Sequence, residues 1–451
     1  MKKLALILAI AMIASFAAVP AMADLDIGGS YRAVGTSNDL GFKGVGLDPP
    51  NETWVDQRMR VAFNWGVNDN VAVQLRGDFA EMTWGDGYRP EQGTDTLMID
   101  RAFVTIKQGP LTLTVGQQAN GWGQGLLWSD QFQGIHADLD FAPFNVKALW
   151  SKESEGGLAG TVNVTNAAGA VIGTVPGAAA GNAITDNSVN DDTDIYGLQL
   201  GYAADTFTAA LTYVTMINDA ANATVFGADA ATLSGYSGTV TGAFGDVSLG
   251  AEIALFDGDN GLNGAAQIDF EGTQLMAFAR TAFTEQFKAG AMVIWADDVA
   301  NATTAQATVI VDDTGFNPFD YAGALGYDNG VRLMPATNTP TSLFDIAQSG
   351  AGVLGLILDA SFAATESLTF YGKLMYAEPS DDVPVTLVNP GLDSAFGAIA
   401  NVDYAWMPAV TLSAGMMYIA PDYDATDAQL TAMGMTDDAA LQLVVRLGVT
   451  F

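Results

Sequence analysis

The feature that most constrains this chain is the way its joins take turns. Short breaks fall at 68–70, 109–110, 143–144, 203–205, 245–246, 284–286, 365–367 and 407–409, each with turn chemistry or a polar interruption. Between them lie long joins at 37–53, 85–95, 119–133, 154–191, 218–231, 257–272, 298–350, 378–393 and 421–437, rich in Asp, Gly, Asn and Ala. Eight short joins and nine long ones leave eighteen segments that alternate apolar with polar or small residues. Met59, Val61, Phe63 and Trp65 alternate with Arg58, Arg60, Ala62 and Asn64; Val71, Val73, Leu75 and Phe79 alternate with Gln74, Arg76 and Asp78. A period of two is a strand with one greasy face, and about ten residues is what a tilted strand needs to cross a bilayer. Short turns on one side and long loops on the other match a barrel in an outer membrane. A soluble sandwich also alternates, but eighteen strands are too many for one, no linker divides the chain, and a sandwich leaves edges to protect. Closing the sheet in lipid pairs every backbone group. The expected fold is all-β: a transmembrane antiparallel up-and-down β-barrel of eighteen strands, with sixteen as the alternative if the 257–272 join hides another register.

The beginning of the chain agrees with export. Lys2 and Lys3 precede an apolar run over 4–19, and Ala21, Met22 and Ala23 make a cleavage site. Residues 1–23 therefore read as a signal peptide, leaving 24–451 as a single barrel domain. No later apolar run approaches the roughly 20 residues of a membrane helix. Cysteine is absent, which excludes disulfides, thiolate metal sites and covalent haem. Apolar residues make up 49% of the chain although no internal run is long, as short alternating strands require. The net charge is −34, with 51 acidic residues against 17 basic, two of which (Lys2 and Lys3) would leave with the signal. That balance disfavours nucleic acid as a partner and draws cations to the surface.

The chain ends LQLVVRLGVTF. Leu441, Leu443, Val445, Leu447, Val449 and Phe451 share one face; Gln442, Val444, Arg446, Gly448 and Thr450 share the other. Such a strand ending in Phe resembles the C-terminal assembly signal of Gram-negative outer-membrane proteins. The stretch DRAFVTIKQGPLTLTVGQQ (100–118) is similar to the strand–turn–strand unit of porins, with its Gly turn and VG strand ending in Gln. The resemblance implies a Gram-negative outer-membrane channel for passive diffusion of small hydrophilic solutes or ions. It further implies outer-membrane lipid and lipopolysaccharide around the wall, insertion by the barrel-assembly machinery through Phe451, and a homotrimer. Eighteen strands depart from the sixteen of general porins toward substrate-selective and alginate-export channels. The rival reading is a structural or scaffold barrel with a plugged lumen that anchors or holds a partner.

Basic residues are few, so their places matter. Arg32, Arg58, Arg60, Arg76 and Arg101 lie on the polar face of the first four segments, and Arg32, Arg60, Arg76 and Arg101 stand six to eight residues from the short-join end. Closure would bring Arg446 to the same wall. Unpaired charge away from water is costly, so these pore-lining candidates need water or partners, and Asp78 is the expected partner of Arg76. The wall either orients passing solutes, as charged rings do in other pores, or ties strands together beneath a plug. Two long joins are candidates to fold inward. In 119–134, Trp122, Leu126, Leu127, Trp128 and Phe132 should not hang in water, with Asp130 among them; the other is 298–350. Packing against a neighbouring barrel is the alternative; inward folding is the preferred reading for 119–134, and the two stand level for 298–350.

The acids lie in or beside the long joins, where they solvate a rim or bridge to lipopolysaccharide phosphates through divalent cations. DGDNGLNG (257–264) has the Asp-x-Asp start of a calcium loop, but Ile268 occupies the twelfth position, so no metal site is expected. No cofactor is expected either. The sole histidine, His136, shares a face with Asp138 and Asp140, and no nucleophile motif stands beside it, so the chain does not read as an enzyme.

Overall fold

The computed structural model describes residues 24–40, 51–84, 97–154, 161–165, 171–176, 193–218, 231–260, 269–297, 304–306, 352–380, 391–433 and 437–451. The signal peptide expected at 1–23 and all but Thr304–Gln306 of the 298–350 candidate lie outside the described residues.

Strands follow one another round a single wall. The first are β1 (Asp24–Leu40), β2 (Asn51–Asn68), β3 (Val71–Thr83), β4 (Leu97–Gln108), β5 (Leu111–Trp122) and β6 (Trp128–Phe141). Next come β7 (Phe144–Ser154), β8 (Thr193–Ala203), β9 (Phe207–Asn218), β10 (Ala231–Phe244), β11 (Val247–Asp259) and β12 (Asp269–Ala282). The last are β13 (Phe287–Ala296), β14 (Val353–Thr365), β15 (Leu368–Glu378), β16 (Leu392–Met407), β17 (Val410–Tyr423) and β18 (Ala440–Thr450). Each pairs antiparallel with its neighbour in sequence, and β18 pairs with β1 from Ser30↔Thr450 to Leu40↔Ala440. The result is a closed antiparallel barrel of eighteen strands, as expected from the joins. Outside the wall stand a hairpin (Thr161–Thr165 with Val171–Pro176), the segment Thr304–Gln306 lying parallel to β12, and helix α1 (Asp427–Met433).

Side-chain exposure follows the period of two. On β18, Leu443 is 48% exposed on the outside, whereas its neighbour Gln442 is 2% exposed on the inside. Rings gather where the outer face meets the short turns: Phe141, Phe144, Tyr202 and Phe207 form a chain with centroids 6.5, 5.3 and 5.8 Å apart. That is an aromatic girdle at one membrane interface. Two of the short turns use glycine for its left-handed backbone, Gly109 at φ 58° and Gly245 at φ 62°.

The strands outrun the apolar band, so several joins are shorter than the sequence suggests. Of the 119–134 stretch, only 123–127 is a connection; β5 continues to Trp122 and pairs there with Trp128. The 257–272 join likewise shrinks to 260–268. The physical reason is the same in both places. Beyond the lipid, outward positions need not be apolar, so alternation fades (Gln117, Ala119, Gly121; Gln131, Gln133) while the backbone ladder goes on.

Candidate functional site

The inner face of β1–β4 and β18 carries the six arginines. Register places Arg32 opposite Arg58, Arg76 opposite Arg101, and Arg446 opposite Val34, two positions above Arg32. Like charges facing each other are unfavourable, and two buried aspartates offset them. Asp78 lies opposite Arg60. The Arg60 guanidinium donates to both its oxygens, Nε to Oδ1 at 2.5 Å and Nη2 to Oδ2 at 2.6 Å, a bidentate pair. Arg58 Nη1 stands 4.0 Å from the same carboxylate. Asp100 takes Arg76, whose Nε donates to both oxygens at 3.0 and 2.8 Å and whose Nη2 donates as well; Arg60 Nη2 lies 3.3 Å away.

This corrects one expectation: Asp78 serves Arg60 and Arg58, and the acid held by Arg76 is Asp100. Residues two apart on a strand point the same way but lie along it, whereas a cross-strand partner is directly adjacent. Asp100 was missed because a strict period of two would send it into lipid. A bulge in β4 prevents that. Arg76 pairs with Arg101 but Gly77 with Ile99, so Asp100 is the extra residue and faces inward beside Arg101. The sequence did hold the signal: adjacent charges, Asp100 and Arg101, inside an otherwise alternating strand cannot both avoid lipid without a bulge. Two further described acids share this inner face: Asp56, accepting from Trp54 Nε1 at 2.6 Å, and Asp26, opposite Asn64 nearer the short turns. Six arginines therefore stand against four aspartates among the described residues.

The opposite wall is different. Inner-face residues of β8–β17 form a continuous apolar surface in the half remote from the short turns, including Ile195, Val214, Phe256, Met276, Ile294, Ile357, Met375 and Ile419. The 123–127 tip lies on it. Leu126, Leu127 and Trp128 are fully buried, Trp122 and Phe132 nearly so, and Trp128 meets Phe132 edge-on at 5.4 Å. The Gln124 N–H donates to the Glu252 carboxylate of β11, and the Trp122 ring lies over Gly197 of β8. Leu430 of α1 joins the same cluster. Asp130 pairs with Asn120 in the β5–β6 ladder; its side chain lies outside the described residues. Below the apolar surface, Asp359 of β14 pairs with Lys373 of β15 beside Arg280 of β12, a charged group that the sequence reading did not single out. His136 faces inward with its ring 6.0 Å from Trp122 and Asp138 on the same face. Phe451 closes the seam, exchanging backbone hydrogen bonds with Gly29 at 2.7 and 3.0 Å.

Among the described residues no group of three or more acidic or histidine side chains could hold a metal ion.

The family model described as Gram-negative porin matches residues 8–312. No curated protein sequence matches the chain. Among solved structures, Pseudomonas aeruginosa OccK8 (OprE) superposes with a TM-score of 0.55 at 9% identity, covering 95% of this chain and 98% of its own. Acinetobacter baumannii OccAB3 gives 0.53 at 9%, covering 95% and 99%. Pseudomonas aeruginosa OpdK, solved with vanillate, gives 0.53 at 10%, covering 95% and 99%. At such identities the likeness is one of fold.

Proposed function

The chain belongs to the Gram-negative porin family, and from that premise we propose that solutes cross along the arginine wall of β1–β4 and β18, narrowed by the 123–127 tip. The protein is an outer-membrane porin, a water-filled channel for passive diffusion of small hydrophilic solutes. One observation carries the proposal: among the described residues six inward guanidinium groups outnumber the four inward aspartates, Asp26, Asp56, Asp78 and Asp100, on the side of the lumen that the tip leaves uncovered. A low-dielectric surround focuses the field of such a wall. It suits solutes bearing a carboxylate or phosphate, since an arginine fork donates to either bidentately. The vanillate bound by OpdK is a carboxylate of this kind.

Acids outside the pore compete. Asp257, Asp259, Asp269 and Glu271 stand in pairs at the far ends of β11 and β12, an acidic rim that would concentrate cations. Exposed charges are screened beyond roughly 8 Å at physiological salt, so the arginines govern selectivity there and the rim gains influence as salt falls. The same rim would meet lipopolysaccharide phosphates through divalent cations, the barrel-assembly machinery would read Phe451, and three copies would form the homotrimer.

The test is the reversal potential of single channels in a KCl gradient. Wild type should show weak anion preference, and the Arg58→Ala, Arg60→Ala, Arg76→Ala triple mutant should shift toward cations. An unchanged potential in the triple mutant would remove the arginines from the conducting path. The plugged-scaffold reading draws on the apolar filling described above, and a wild-type barrel without conductance would favour it.

A further inference from the structure

We propose that Glu252 is a latch that holds the 123–127 tip at its working position and so determines the width of the pore. The inference rests on the reading that this tip narrows the channel. The tip is made to present backbone N–H groups. Gly123 and Gly125 have φ of 65° and 90°, left-handed values that glycine adopts without strain, and the Gly125 N–H closes the turn on the Trp122 carbonyl at 3.1 Å. Successive amides in such a turn form a concavity that suits an anion.

Glu252 supplies one from 128 residues away in sequence. It is only 1% exposed, its Oε2 accepts the Gln124 N–H, and the Leu126 N–H is also turned toward it. Thr239 lies directly opposite on β10 and Ser237 one inward position along, so two hydroxyls flank the carboxylate. The fit is close. A Cβ at position 123 would lie 2.6 Å from Thr239 Oγ1 and 2.7 Å from both Glu252 carboxylate oxygens, closer than side chains tolerate. Hydrogen bonds to an ionised acceptor are about twice as strong as neutral ones, so one carboxylate can secure a five-residue turn.

A second mount lies at the root of the tip. The Trp122 ring fills the space a side chain at 197 would need, 2.6 Å from where that Cβ would stand. The mounts differ in kind. Trp122 on Gly197 buries apolar surface and has no directional preference, whereas the Glu252 bond specifies where the tip stops.

The experiment compares purified Glu252→Ala, Glu252→Gln and wild type in planar bilayers, with heat-modifiability confirming that each barrel is folded. Glu252→Ala should raise single-channel conductance about twofold and add open-channel noise, because a charged constriction governs the pore's resistance. Glu252→Gln keeps an acceptor oxygen and should stay close to wild type. Since the chain has no cysteine, Leu127→Cys gives a unique reporter at a fully buried site. Its modification by a charged thiol reagent should accelerate about tenfold with Glu252→Ala, as expected of local opening, and little with Glu252→Gln. A folded Glu252→Ala barrel with wild-type conductance and unchanged Leu127→Cys labelling would overturn the latch. If Glu252→Ala does not fold, Glu252→Asp, which withdraws the carboxylate by one methylene, takes the same two measurements. A wild-type barrel that does not conduct would sink the channel geometry instead, and labelling would still report on the latch.

Discussion

At the scale of single residues, the arginine wall shows how charge is kept inside a membrane barrel. Each of the two buried aspartates is shared: Asp78 by Arg60 and Arg58, Asp100 by Arg76 and Arg60. Sharing leaves positive charge uncompensated while giving the guanidinium groups fixed partners, so they are oriented without being neutralised. Asp100→Asn keeps the shape and removes one negative charge. It should lower stability in detergent by about 1–2 kcal/mol, the lower part of the range for an impaired buried hydrogen-bond partner because water reaches the arginines. Its reversal potential should move toward anions, opposite to the arginine triple mutant, since the wall becomes more positive. Unfolding in urea and the KCl-gradient potential measure the two effects. Opposite signs from the two mutants would be hard to obtain unless both charges face the conducting path.

At the scale of elements, each strand must satisfy lipid on one side and the lumen on the other. Val73 and Gln74 on β3 are neighbours with opposite assignments, Val73 pairing outward with Trp65 and Gln74 inward with Asn64. Val73→Arg should destabilise the barrel by about 2–4 kcal/mol near the midplane and less toward an interface. Gln74→Arg should be tolerated far better, losing chiefly the amide contact with Asn64. Gln442 is a poorer control than its place in the alternation suggests, because it is almost fully covered from within. Equal damage from Val73→Arg and Gln74→Arg, measured as unfolding midpoints, would mean that the faces of β3 are misassigned. The β4 bulge is the element-scale exception, and it is what brings Asp100 to Arg76.

At the scale of the whole molecule, closure depends on one seam. β18 meets β1 through eleven register pairs, and Phe451 extends the ladder by its two backbone bonds to Gly29. Gly29 has room for nothing larger, since a Cβ there would lie 2.4 Å from the Arg60 carbonyl and 2.7 Å from the Phe451 ring. Deleting Phe451 should therefore reduce folded, heat-modifiable barrel in outer membranes while export across the inner membrane continues. Normal barrel yield in that deletion would separate the seam from assembly.

The strand number, the direction of pairing, the lipid-facing residues and the wall on which the arginines gather were all legible in the sequence. They follow from local rules: a period of two, turn chemistry and the length of a membrane crossing. Where those rules relax the reading lost its hold, as at 119–134, which lies past the lipid band and is mostly strand. Tertiary structure alone decided which aspartate each arginine holds, because a ladder partner depends on register and a single bulge changes it. It alone decided where the tip comes to rest. Gln124 and Glu252 meet only because closing eighteen strands brings the inside of β11 within reach of the β5–β6 hairpin, and no local pattern encodes a contact across a lumen.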